Sequence, residues 1–137
     1  MSTTRLARRK AFQCMHRYAL EQWTDQHNRE VFGACFTPHG HGHNYEIEAY
    51  FEGPVDPLTG MIVNLADVDQ WLSEVVQPLN AKHLNFELPE FQKKVPTTEN
   101  LALYLQDKLN AKLASSQVTL FKLRLYESDD LWVDVWP

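Results

Sequence analysis

Residues 39 to 52 read HGHGHNYEIEAYFE, and this stretch restricts the fold most tightly. From Asn44 to Glu52, Tyr45, Ile47, Ala49 and Phe51 alternate with Glu46, Glu48 and Glu52, the period of two of a β-strand with one face buried and one wet. Carried back through the preceding residues, that period places His39, His41 and His43 on one side of an extended backbone. The intervening glycines leave the space around them free of side chains. Three imidazoles on one side give the geometry a metal ion needs, and imidazole suits several transition metals. The competing reading is a surface loop rich in glycine and histidine.

A metal site here needs one further ligand from elsewhere in the chain. His16 is the natural candidate, because a first antiparallel hairpin would bring it beside the start of the second strand. His27 falls in a polar excursion and His83 after the first helix. A lone histidine in a strand also serves as a hydrogen-bonded structural residue, and that alternative stands for His16. Three histidines with no fourth protein ligand describe an open zinc sphere, completed by water or a substrate oxygen, which favours catalytic over structural use. Cys35, six residues before His41, is close enough to sit at the rim of such a site, where a thiol beside a cation becomes a usable base. A buried, idle thiol is the alternative.

The remaining elements supply layers for this strand. Thr4 to Tyr18 lacks helical periodicity and reads as a strand from its context. Glu21 to Phe36 reads as an exposed polar excursion joining two antiparallel strands. Gly53-Pro54, Asp56-Pro57 and Gly60 mark a turn region. Leu65, Val68, Leu72, Val75, Val76 and Leu79 recur at helical spacing, and Pro78 limits that helix. Pro96-Thr97-Thr98-Glu99 announces a second helix through Leu101, Leu105, Leu109 and Leu113, ending near Ala114. Val118 to Tyr126 and Leu131 to Trp136 flank a Ser128-Asp129-Asp130 turn and predict a closing hairpin. The order β-β-α-α-β-β contains no alternating βαβ unit, so an α+β fold is expected, an antiparallel sheet with two helices on one face.

One domain over residues 1–137 is expected, since 137 residues with 44% hydrophobic content can bury a core without staples. A net charge of -5, spread along the chain, gives no basic face for nucleic acid. The basic start from Met1 to Lys10 leads into no continuous apolar stretch, so neither a signal peptide nor a membrane span is expected. A soluble, cytoplasmic protein follows. Cys14 and Cys35 are not a CxxC pair, and reduced thiols are the expectation.

Several segments together resemble the 6-pyruvoyl-tetrahydropterin synthase and 6-carboxytetrahydropterin synthase family. They are Phe12 to Arg17, Cys35-x-x-Pro38-x-Gly40-His41-Gly42-His43-Asn44-Tyr45, Thr59 to Leu65 with Asp67, Thr97-Thr98-Glu99-Asn100, and Tyr126-Glu127. They run in order over nearly the whole chain. The resemblance implies the tunnelling fold, in which trimers close their sheets into a barrel and two trimers stack as a hexamer. It implies Zn2+ held by His16, His41 and His43, Cys35 as catalytic thiol, and Glu127 as the carboxylate anchoring the pterin. A carboxylate can accept two hydrogen bonds from the 2-amino and N3 groups of that ring. Thr97 and Thr98 correspond to a segment lining the pterin pocket, and helix capping is compatible with the same residues.

The resemblance further implies a zinc-dependent lyase acting on 7,8-dihydroneopterin triphosphate to give a 6-pyruvoyl- or 6-carboxy-tetrahydropterin, in a biopterin-type or queuosine-type role. One departure stands out. Family enzymes carry Asp-His in Leu-Asp-His-Lys-x-Leu, and this chain has Leu79-Asn80-Ala81-Lys82-His83-Leu84. Asn80 cannot act as a carboxylate and Ala81 cannot titrate. Two alternatives follow: a pterin-binding zinc paralogue with little turnover, or an aldol-type cleavage of dihydroneopterin that needs no relay. His39 and His83 are open as substitutes.

Overall fold

The computed structural model describes residues 2–137. Its strands are β1 (Thr4–His16), β2 (His41–Gly53), β3 (Lys82–His83), β4 (Thr119–Ser128) and β5 (Leu131–Val135). The helices are α1 (Asp25–Phe32), α2 (Leu65–Val76), α3 (Leu84–Glu87) and α4 (Thr98–Leu113). The strands form one sheet of order β3-β1-β2-β4-β5.

The alternation after Asn44 has its predicted effect. Tyr45, Ile47, Ala49 and Phe51 of β2 are fully buried, and they pack with Leu72, Val75 and Val76 of α2 and Leu101, Leu105 and Leu109 of α4. Each Val, Leu, Ile or Phe among them contributes about 1.5–3 kcal/mol when fully buried, so this shared interior dominates what holds the helices to the sheet. The opposite sheet face carries polar pairs. Arg5 meets Glu52, Arg9 meets Glu48, and Arg124 makes a two-pronged contact with Asp134 at 2.7 and 3.0 Å. Pairs as solvent-exposed as Arg5–Glu52 are worth only about 0–1 kcal/mol.

Both long helices start where the sequence predicts. The Asn64 side chain accepts from the Ala66 N–H at 2.9 Å, and Thr97 Oγ1 accepts from the Asn100 N–H at 3.1 Å, each satisfying a donor that lacks an intrahelical partner. Leu65 is the exception within the predicted apolar stripe of α2, being exposed in its first turn. No helix among the described residues is long and apolar enough to cross a membrane.

The structure corrects two expectations. The polar excursion contains α1, followed by a 3-10 turn over Gly33–Cys35. Only Asn28 of α1 is buried, and its amide both accepts from the Leu20 N–H and donates to the Leu20 carbonyl. Phe32, at the end of α1, packs on Trp23 and Tyr18, and with Asn28 as the one buried residue of the helix there is no apolar stripe to read. The second correction concerns sheet direction: β3 pairs parallel to β1 at Cys14 and Met15, so the sheet is not wholly antiparallel. Asn80 and Ala81 dock this segment, because Asn80 Oδ1 accepts from the Gln13 N–H at 2.9 Å and the Ala81 N–H donates to the Gln13 carbonyl. A two-residue strand is too short to carry a period.

Candidate metal centre

The antiparallel register of β1 and β2 pairs His16 with His41 and Cys14 with His43. Residues two apart on a strand share a face, so the end of β1 and the start of β2 project His16, His41 and His43 into one corner. This face also carries Phe12, Cys14 and Tyr45 into the core. Metal-ligating atoms of the three histidines all lie within 4.8 Å of one another. His16 Nε2 and His41 Nε2 are 3.2 Å apart, close to the roughly 3.3 Å that separates nitrogens on a tetrahedral zinc with Zn–N of about 2.0–2.1 Å.

Hydrogen bonding and burial make the same corner a fit for a cation. The Nε2 of His43 is buried without a hydrogen-bond partner, a costly state for a ring nitrogen unless something else occupies it. Burial, followed by the charge of His16, pulls His41 below the usual histidine range; burial does the same to His43 despite the opposing Glu127 charge. Neutral imidazoles offer the lone pairs a metal requires. His16, completely buried, lies with Nδ1 at 2.8 Å from the Tyr45 hydroxyl. Burial pushes that hydroxyl far above its ordinary range, so Tyr45 remains a neutral phenol, a hydrogen-bond partner that fixes the orientation of the His16 ring.

Glu127 reaches the same corner from β4. Its Oε1 is 3.3 Å from His16 Nε2 and 3.2 Å from His43 Nε2, although the latter approach is out of line for a hydrogen bond. His16 holds the Glu127 carboxyl below the usual carboxylate range, against the upward push of burial. The carboxylate is therefore ionised beside the imidazoles rather than folded onto the Ser128 turn.

The two threonines separate in role. Thr97 caps α4, whereas Thr98 is buried with its hydroxyl unpartnered. Tyr18 was not singled out by the sequence; its ring centroid lies 5.2 Å from that of His16. Burial and, next, the negative charge of Glu127 push its hydroxyl up to about 12, with Thr98 acting in the opposite direction. Tyr18, Thr98 and Glu127 thus form a polar wall beside the histidines. Only the offset of two residues from His16 pointed to Tyr18 in the sequence.

His39 does not join the imidazoles, contrary to its spacing. Gly40 adopts φ +81, which breaks the extended run and leaves His39 exposed. A Cβ on Gly40 would stand 2.6 Å from the His16 carbonyl oxygen and 2.7 Å from His83 Nε2. Gly40→Ala should accordingly cost roughly 1–2 kcal/mol for the left-handed backbone alone, and displacement of His16 or His41 should weaken metal binding further. Metal titration of that variant beside thermal unfolding checks this; unchanged affinity would show that the close approach has no bearing on the site.

The cysteines differ as well. Burial pushes the Cys14 thiol up to about 12, an inert core group. Cys35 is half-exposed at the end of the 3-10 turn, and its carbonyl accepts from the Tyr18 N–H at 2.9 Å, tying it to the segment just after His16. His27 lies exposed on α1 against Trp23, outside the site.

A sequence profile of the 6-pyruvoyl tetrahydropterin synthase family matches residues 5–137. The chain is 40% identical over 126 residues to the 6-pyruvoyl tetrahydrobiopterin synthase of Homo sapiens, spanning 91% of this chain and 86% of that protein. It superposes with a TM-score of 0.93 on the structure of Caenorhabditis elegans 6-pyruvoyl tetrahydropterin synthase, 31% identical, across 100% of this chain and 97% of that one. A more distant relative is the dihydroneopterin monophosphate aldolase of Pyrococcus furiosus, 24% identical over 131 residues and spanning 96% of each chain.

Proposed function

This chain belongs to the 6-pyruvoyl tetrahydropterin synthase family, and we propose that it is a zinc-dependent lyase acting on 7,8-dihydroneopterin triphosphate. The observation that carries this reading is the unpartnered, buried Nε2 of His43 facing His16 and His41, with an ionised carboxylate alongside. His16, His41 and His43 are the residues to hold the metal. When bound, zinc supplies Lewis-acid polarisation of a substrate oxygen. Glu127 accepts hydrogen bonds from the 2-amino and N3 groups of the pterin, and the free Thr98 hydroxyl gives the ring a second polar contact. Cys35, on the segment tied to Tyr18, moves the proton at the side chain.

Assembly is part of this proposal. The Thr4–Gln13 length of β1 has no strand partner on its outer edge among the described residues, and β5 is the opposite edge. Leu131, Trp132 and Trp136 are exposed on and just beyond β5. Edges of this kind invite pairing with another copy, and a closed ring of copies, as a trimer or stacked hexamer, covers them.

A second reading is favoured by one feature. Asn80 spends its side-chain oxygen on the Gln13 N–H and Ala81 carries no titratable group, which suits a pterin-binding paralogue or an aldol-type cleavage needing no relay. Product analysis on a panel of reduced pterins separates the readings: a 6-pyruvoyl or 6-carboxy product supports the lyase, a 6-hydroxymethyl pterin with released glycolaldehyde or its phosphate supports the aldol reaction, and binding without turnover supports the paralogue. In the same assay Glu127→Gln should weaken pterin binding by about 10–100-fold, since a hydrogen bond to a charged group is worth about 1.5–3 kcal/mol. Undiminished affinity would remove Glu127 from ring recognition.

A further inference from the structure

His83 stands in the altered Asn80–His83 segment and has no part in the chemistry proposed above. Its Nε2 lies 2.9 Å from the carbonyl oxygen of His39. A carbonyl only accepts, so Nε2 carries a ring proton, and Nδ1 is buried without a partner. With Nε2 committed to that carbonyl and Nδ1 buried, neither ring nitrogen is open to a substrate. The same Nε2 packs against Gly40, lying 2.7 Å from where a Cβ there would stand.

The ring is itself held in place. The His83 N–H donates to Glu87 Oε2 at 2.7 Å, the imidazole packs on Phe86 with centroids 4.3 Å apart, and His83 is the register partner of Met15 in the β1–β3 pair. Met15 immediately precedes His16, and His39-Gly40 immediately precede His41. His83 therefore connects the two chain segments at the place where the first two imidazoles meet.

We propose that His83 is a positioning residue for the metal centre: its Nε2–H holds the His39 carbonyl, fixes the Gly40 turn, and so sets the direction in which His41 projects. The inference rests on His16, His41 and His43 being the metal ligands. It gives a physical account of the altered segment, whose one imidazole holds the ligand-bearing turn instead of relaying protons.

The test compares His83→Ala, His83→Leu and His83→Gln with the full-length wild type, by zinc competition against a chromophoric chelator and by the visible spectrum of the cobalt-substituted protein. Gln places an amide N–H near the position of Nε2, whereas Leu keeps apolar bulk against Phe86 without a donor. Loss of an outer-shell partner typically weakens metal binding by about 10–100-fold. That loss, with a changed cobalt spectrum, is expected for Ala and Leu, and Gln should restore both. Should the Ala variant fail to fold, the comparison of Leu with Gln decides. Equal affinity and spectra for Leu, Gln and wild type would overturn the proposal, as would an Nε2 of His83 found without a proton by nitrogen NMR of the metal-free wild type. A wild type that takes up no zinc would instead bring down the metal reading, and the positioning role with it.

Discussion

Replacing His41 with alanine should strip the protein of zinc under conditions in which the wild type holds about one ion per chain, as an open three-histidine site requires. His41 is the informative choice because it is half-buried, whereas His16 is completely buried and its loss would also leave the Tyr45 hydroxyl unpaired. Structural zinc sites bind with about 10–16 kcal/mol shared among four ligands, so one imidazole is worth roughly 3 kcal/mol, or about two powers of ten in Kd. Stability should follow, since a ligand at about a hundred times its Kd stabilises the folded state by about 2.7 kcal/mol. Wild-type protein should melt several degrees higher with zinc than without, and His41→Ala should show almost none of that shift. Glu127 complicates the outcome, because its Oε1 already lies within 3.3 Å of His16 Nε2 and 3.2 Å of His43 Nε2 and can step in as a substitute ligand. His41→Ala combined with Glu127→Gln removes that route. Metal analysis and melting curves with and without zinc read both variants, and full occupancy in the double variant would refute the ligand assignment.

The parts of this site that were legible in the sequence are those carried by short-range periodicity. Alternation along 44–52 gave the buried face of β2, and the offset of two between His41 and His43 then required both imidazoles to share it. The Thr97-Thr98-Glu99 start gave α4 for a comparable local reason, a side chain capping its own helix. Tyr18, Thr98 and Glu127 sit far apart in the chain and meet only through the register of β1 with β2, of β2 with β4, and the packing of α4 on the sheet. No local pattern encodes that meeting. His39 misled because spacing assumes a continuous strand, and a single glycine at positive φ ended it. The parallel β1–β3 pair escaped for the opposite reason, being fixed by bonds of the Gln13 backbone to Asn80 Oδ1 and the Ala81 N–H rather than by an apolar side-chain pattern.

Restoring the acid-base pair, with Asn80→Asp and Ala81→His together, should raise turnover on 7,8-dihydroneopterin triphosphate by about 10²–10⁴-fold, the usual worth of a positioned general acid or base. The local structure can accept both changes. Asn80 uses only Oδ1 to receive the Gln13 N–H, and an aspartate carboxylate accepts that bond equally well. Ala81 has φ 62, and histidine is among the side chains enriched in that left-handed region. Its side chain borders a cleft of about 280 Å³ that Met15, Gly42 and His43 also line, so an imidazole has room to enter. Zinc content should stay as in the wild type, because both substitutions leave His16, His41 and His43 in place. The gain should depend on Cys35: adding Cys35→Ala to the restored protein should return turnover to the starting level or below. Unchanged turnover in the restored protein would mean that proton relay does not limit this enzyme. Robust wild-type turnover that survives Cys35→Ala would exclude the thiol from the chemistry, and silence in every variant, with pterin still bound, would make the protein a binding paralogue whose lost dyad reflects a lost reaction.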